Sequence, residues 1–121
     1  MAAVITITDA TDTTQNEQIV DGTIALSGNY GGASTHGDTL SFAGFDQIKS
    51  SQVPRKVEIF EAPPAGTSAT GDTFQFSPGT TQANGVMQVF AAGAEYTEAS
   101  AYSAGLLAAV LRFRAWFPSL I

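Results

Sequence analysis

The chain has 121 residues, a length that suits a single domain. It has no cysteine, which excludes disulfides and thiolate chemistry, and its 11 acidic against 5 basic residues give a net charge of -6. An acidic chain without a basic run is a poor partner for nucleic acid or an anionic membrane. The longest apolar segment, residues 104–111, is too short to span a bilayer. We therefore expect neither partner.

The first strand signals lie close to the N-terminus. Residues 4–8 read Val-Ile-Thr-Ile-Thr, a β-branched run that predicts a strand or arm. The Asp- and Thr-rich residues 9–18 predict a loop, and residues 19–26 predict a second strand in which Gly22 is a candidate bulge position. We expect the arm to add as an edge strand to a neighbouring subunit or to another structural protein of the same assembly, with pairing inside its own sheet as the alternative.

Two further strands are predicted in the middle of the chain. The Gly-rich residues 27–38 predict a long turn or exposed loop before a short strand at 39–42. Residues 55–61 alternate in character and predict a clear strand. One face of that strand would carry Val57, Ile59 and Glu61, and the other face Lys56, Glu58 and Phe60.

The second half of the chain contains a hairpin pattern and a closing strand. Residues 72–77 and 86–91 alternate on either side of a small, polar loop at 78–85, which is typical of a β-hairpin. The Ala- and Ser-rich residues 93–105 allow a helical turn or two, although their serines and Gly105 weaken that interpretation. Residues 109–117 predict the last strand.

These elements together predict an all-β protein. Short strands between turn signals, with little helix, favour an antiparallel β-sandwich of the jelly-roll-like or Greek-key kind. We divide the chain into an N-terminal arm and loop at 1–18 and a single β-sandwich domain at 19–121. The side chains expected to be mostly buried are Phe74, Phe76, Val89, Leu111 and Phe113.

Catalytic and metal-binding patterns are weak throughout the sequence. His36 is the single histidine and lies in a Gly-rich loop, whereas nucleophilic triads and most zinc sites need a well-placed histidine. The pairs Asp9 with Asp12 and Glu95 with Glu98 lack the spacing of a calcium loop. No glycine pattern matches a phosphate-binding loop. We expect no enzyme activity, no metal and no cofactor.

Two surfaces are candidates for contact with a partner. In the last strand two arginines and a tryptophan occupy every second position and so share one face, and both residue types are enriched at interface hot spots. The alternative is that these side chains lie over the sheet with their polar heads in water. The arm supplies the second surface. The candidate interface residues are Val4, Ile5, Ile7, Arg112, Arg114 and Trp116.

Five short motifs follow one another along the chain. They are Asp-Gly-Thr-Ile-Ala-Leu-Ser-Gly at 21–28, Gly-Asp-Thr-Leu-Ser-Phe at 37–42, Pro-Arg-Lys-Val-Glu-Ile-Phe at 54–60, Pro-Gly-Thr-Thr-Gln-Ala-Asn-Gly at 78–85 with Gln-Val-Phe at 88–90, and Arg-Phe-Arg-Ala-Trp-Phe at 112–117. Their order resembles the small accessory structural proteins of tailed-bacteriophage heads. One departure is that residues 105–109 read Gly-Leu-Leu-Ala-Ala where that family suggests a Gly-Asp pair.

The resemblance implies a virion role beside the major capsid protein. The leading hypothesis is a capsid decoration (cement) protein, made in the host cytoplasm, which binds the outer capsid surface as a homotrimer and stabilises the shell. A head-fibre or adhesion module is the alternative, with Tyr30, Tyr96, Tyr102 and Trp116 stacking on host glycans. A wall hydrolase is a third reading, which the lack of a His or Cys constellation disfavours.

Overall fold

The structure, a computed structural model, describes residues 3–14, 17–31, 37–62, 65–66, 70–96, 100–108 and 110–118, without the side chains of 11–14 and 108. Within these residues the chain forms eight strands and one short helix. They are β1 (Ala3–Thr14), β2 (Glu17–Leu26), β3 (Asp38–Leu40), β4 (Lys56–Ala62), β5 (Thr73–Ser77), β6 (Gly85–Ala91), β7 (Ala94–Glu95), α1 (Ala104–Ala108) and β8 (Val110–Pro118).

The strands form two antiparallel sheets that pack on each other. The first sheet has the order β1-β2-β8-β4, and the second has the order β3-β6-β5 with β7 also paired to β6. The predicted all-β class, an antiparallel sandwich with little helix, is confirmed. The jelly-roll or Greek-key connectivity stays a prediction.

Alternation along β8 builds one wall of the core. The side chains that face inward, Leu111, Phe113, Ala115 and Phe117, are all buried, which the sequence predicted for Leu111 and Phe113. Phe42, in the loop after β3, lies between the sheets and is fully buried. Its ring centroid is 5.5 Å from Phe113 and from Phe117 in the first sheet, and 6.0 Å from Phe76 in the second, all near edge-to-face.

The expected core is confirmed in part. Val89, Leu111 and Phe113 are buried. Phe74 and Phe76 are only partly buried and pack against the core from its margin. They differ from Val89 because β5 is an outer strand of the second sheet, where neighbouring side chains cover each residue on one side only.

The predicted loop at 9–18 is wrong, because β1 continues to Thr14 and β2 already begins at Glu17. β1 pairs with β2 along its whole length, from Ala3 opposite Leu26 to Thr14 opposite Glu17. The polar residues stay in the strand because β2 supplies their backbone partners, and threonine suits a strand. The boundary placed after residue 18 falls inside β2. The alternative considered for the arm, pairing within its own sheet, is what the structure shows.

The hairpin and the last strand agree with the sequence. β5 and β6 pair antiparallel across the loop at 78–84, and β8 covers the predicted closing strand apart from residue 109, which lies outside the described residues. The helix is displaced relative to residues 93–105. It starts at Ala104 because the hydroxyl of Ser103 accepts a hydrogen bond of 3.2 Å from the backbone N–H of Leu106, which caps the first turn.

Gly22 is a point of close approach in the first sheet. It lies opposite Ile7 on one side and Phe113 on the other, next to a shift in the β1 register between Ile7 and Asp9. A Cβ atom at this position would collide with the carbonyl oxygen of Thr6 and would lie 2.7 Å from Cε2 of Phe113. The Phe113 ring therefore covers the α-carbon of Gly22, and only glycine leaves room for it.

We expect Gly22→Ala to lower the free energy of unfolding by about 1–3 kcal/mol, the usual cost of overpacking a filled core. The measurement is urea denaturation followed by fluorescence of Trp116. Gly105→Ala in α1 is the control, because among the described residues the added methyl meets a Thr70 methyl at 3.1 Å and no backbone atom, and alanine favours the helix. Equal midpoints for the two variants would contradict this account of Gly22.

Candidate binding face

The solvent side of the first sheet, called the outer face below, arranges its side chains in rows across the strands. The register aligns Asp9, Asp21, Arg114 and Glu58 in one row and Thr6, Thr23, Arg112 and Phe60 in the next. Trp116 lies between Ile19 and Lys56 in a third row. These rows follow from the antiparallel pairing, since side chains directly opposite each other point to the same face.

Arg114 and Trp116 are engaged within the outer face. Nε of Arg114 donates to Oδ1 of Asp21 at 2.7 Å and Nη2 donates to Oδ2 at 3.0 Å, which is a bidentate pair. The hydrogen bond with Asp21 raises the pKa of Arg114. Nζ of Lys56 lies 5.2 Å from the ring centroid of Trp116 and 3.1 Å from Oε2 of Glu58. These contacts orient both side chains along the sheet.

Arg112 differs from Arg114 in its surroundings. It is exposed between Thr23 and Phe60, and it makes no ion pair within the described part of the chain. Phe60 is 50% exposed and Val110 is 42% exposed on the same face. A shallow hollow of about 520 Å³ lies beside them, lined among others by Asp9 and Glu58. A guanidinium that forms no ion pair with the described residues, beside exposed apolar groups, suits contact with a protein surface.

The structure brings four of the six predicted interface residues onto the outer face. Val4 is 55% exposed there, together with Arg112, Arg114 and Trp116 on β8. Ile5 is buried and Ile7 is partly buried against the core, because neighbouring side chains in a strand point to opposite faces. The side chains of these two isoleucines therefore pack in the core and cannot contact a partner, although their backbone lies at the edge of the sheet.

Sequence reasoning missed the two most exposed apolar neighbours of Arg112. The sequence correctly places Phe60 on the same face as Lys56 and Glu58. Because those two neighbours are charged, the face looked like ordinary solvent-exposed surface, and Phe60 was not selected as an interface residue. Val110 alternates with Arg112 and could have been found from the same period of two that located the arginines.

The three tyrosines do not form a platform for sugars. Tyr30 and Tyr102 are buried and Tyr96 is partly buried, with their ring centroids 5.7–6.1 Å apart. The hydroxyl of Tyr30 donates to Oε2 of Glu95 at 2.6 Å, and the hydroxyl of Tyr96 donates to Oδ2 of Asp72 at 2.9 Å. Burial raises the pKa of Tyr30 and of Tyr96. All three tyrosines lie in loops, yet they pack against one another inside the fold.

Asp38 is a buried carboxylate beside this cluster. Its Oδ1 accepts a hydrogen bond of 2.7 Å from the backbone N–H of Gly31. Its Oδ2 is buried and finds no hydrogen-bond partner in the described ranges. Desolvation raises the pKa of Asp38, because a buried, half-satisfied carboxylate holds its proton more strongly.

The described residues contain no candidate metal site, because no three His, Cys, Asp or Glu side chains among them lie close enough together to hold an ion. His36 and Glu98 lie outside the described residues. Among the helices that the structure describes, none has the length and apolar character needed to cross a membrane.

Comparison with known proteins adds no relative. No protein-family model matches the chain, and no curated protein and no solved structure matches it either.

We expect the free energy of unfolding to fall as the pH rises from the ordinary aspartate pKa of 3.8 through the higher pKa of folded Asp38. The folded chain binds this proton more tightly than the unfolded chain, so the stabilisation is present at low pH and lost above it. Asp38→Asn removes the titration, so the stability of the variant relative to the parent should be more favourable at about pH 7 than at about pH 3.5.

Thermal unfolding of both proteins across this pH range measures the effect. Asp46→Asn is the control for losing one carboxylate, because Asp46 is exposed. Parallel pH curves for Asp38→Asn and the parent would contradict the prediction.

Proposed function

We propose that this chain is a structural protein that binds another protein through its outer face, and that its setting is the head of a tailed bacteriophage. There it acts as a decoration protein on the outer shell of major capsid protein. The observation that carries the proposal is the juxtaposition of Arg112, Phe60 and Val110 on an exposed four-stranded sheet. The order of the sequence motifs supports the capsid setting.

Single exposed apolar side chains are ordinary, but their grouping around a cation without an ion pair in the described residues is not. Phe60 lies directly across the strand pair from Arg112. Aromatic and arginine side chains carry much of the binding energy at protein interfaces because they combine large contact area with directional donors. The partner we expect is a protein surface with an apolar depression and a carboxylate beside it.

The outer face is large enough for a modest contact, which suits binding in many copies to a shell of repeated subunits. Four strands about 4.8 Å apart and about seven residues long present roughly 20 by 20 Å, so a contact covering them buries on the order of 1,000 Å² in total. That value lies at the lower end for specific interfaces. Many such contacts on one shell act together, since each bound copy adds to the stability of the particle by mass action.

The adhesion alternative loses the feature that suggested it. Tyr30 and Tyr102 are buried, so neither ring can stack on a sugar, and Trp116 already lies beneath Lys56. The homotrimer and the virion location stay predictions.

We expect Arg112→Glu to weaken binding to empty capsids of the phage that encodes the chain by about tenfold or more, because it reverses the charge at the centre of the face. Co-sedimentation with capsids measures this. Lys49→Glu is the matched control, since Lys49 is an exposed cation in the loop between β3 and β4. Both variants should unfold within about 2 °C of the parent.

Equal loss of binding in the two variants would indicate a general charge effect and contradict the assigned face. The capsid setting has its own test, which is mass spectrometry of purified particles and their heat stability after deletion of the gene. Particles that lack the protein, or particles that resist heat equally without it, would contradict the decoration role.

A further inference from the structure

β1 is the outermost strand of the first sheet, and its second edge has no strand beside it in the described part of the chain. An open edge is a template for pairing, so soluble proteins usually protect it with charges, prolines or bulges. β1 has such protection only from its middle onward, where its register shifts between Ile7 and Asp9 and again between Asp12 and Thr14. The segment Ala3–Ile7 has neither a charge, a proline nor a bulge.

The backbone of this segment has a defined direction. A Cβ at Gly22 would collide with the carbonyl oxygen of Thr6, so that carbonyl points towards β2. Backbone polar groups alternate in direction along a strand. The N–H and C=O groups of Ala3, Ile5 and Ile7 therefore point away from β2, to the open edge.

We propose that two copies of this chain pair through β1, antiparallel across a two-fold axis at Ile5, and so join their first sheets into one. Ile5 is the centre of the straight segment, so this register uses all of it. Ile5 would exchange two hydrogen bonds with its symmetry mate, and Ala3 would exchange two with Ile7 of the second copy, about six bonds in total.

The segment Ala3–Ile7 can accept a second copy of itself because it carries no charged side chain. Two chains of net charge -6 repel each other, and a pairing centred farther along β1 would bring Asp9 and Asp12 of both copies together. A pairing centred at Ile5 places only uncharged residues opposite each other. It also places Thr6 of one copy beside Val4 of the other, which covers a valine that is 55% exposed in the single chain.

This inference goes beyond the proposed function and concerns a different surface, since it requires no capsid. A five-residue strand pair alone buries less than the roughly 1,000 Å² of a typical stable interface. We therefore expect a dimer whose formation depends on concentration in the micromolar to millimolar range, about 10 µM to 1 mM. In the pair the two outer faces become one continuous surface, so a dimer would offer Arg112 twice to the same partner.

The test uses charges at Val4 and Thr6, which are exposed and which lie opposite each other in the proposed pair. Val4→Lys with Thr6→Lys places lysines opposite lysines at both symmetric positions, and should weaken the dimer by about tenfold or more. It also reduces the net negative charge of the chain by two units, which by itself would favour association. Val4→Glu with Thr6→Lys places opposite charges there and should keep or strengthen the dimer.

Sedimentation velocity from about 1 µM to about 1 mM measures the parent and both double variants. A parent that stays monomeric, or that forms the homotrimer suggested by the resemblance, would overturn the proposal. A Lys/Lys variant that dimerises like the parent would do so as well. Loss of the dimer in the Glu/Lys variant would exclude the register centred at Ile5. Capsid binding of the parent and of Arg112→Glu shows separately whether the proposed function holds.

Discussion

The contact of Phe42 with rings from both sheets is the constraint on which the rest of the sandwich depends. Phe42 comes from a loop, yet it is fully buried. Its ring centroid lies 5.5 Å from those of Phe113 and Phe117 and 6.0 Å from that of Phe76. Edge-to-face rings add specific geometry to the hydrophobic burial of large side chains. Phe113 also covers the α-carbon of Gly22, so the ring that meets Phe42 depends on a glycine in β2.

The position of Phe113 in turn decides the outer face. A one-residue slip of β8 would reverse every side chain between the core and solvent. With Phe113 held inward, Arg112 and Arg114 must point outward, and Arg114 meets Asp21, a residue 93 positions away in the chain. The core and the candidate binding face are thus two sides of one register. This explains why the exposed residues are so regularly spaced.

The polar interior has a different role from the aromatic core. Tyr30 donates to Glu95, and Asp38 accepts from Gly31, so side chains anchor the loop around residue 30 to both β3 and β7. Oδ2 of Asp38 is buried without a hydrogen-bond partner among the described residues, and burying such an oxygen lowers the stability of the fold. Apolar side chains can be buried without this cost. Buried polar groups have specific partners, however, and can therefore select one arrangement of the loops.

The amino-acid sequence by itself determined the elements whose pattern is local. The period of two in β4 and β8 and the turn residues between β5 and β6 were sufficient to predict those strands, their faces and the sandwich class. The outward direction of Arg112, Arg114 and Trp116 followed from the same alternation, because it depends only on the neighbours in the strand.

Only the tertiary structure decided what depends on distant partners. Residues 9–14 are polar and look like a loop, yet they continue β1 because β2 satisfies their backbone groups. Tyr30 and Tyr102 lie in loops, yet both are buried, since partners from other segments surround them. Strand order also decides which side chains surround Arg112, and it decides that β1 is the last strand of its sheet. Strand order arises from contacts between residues far apart in the chain, which local periodicity does not encode.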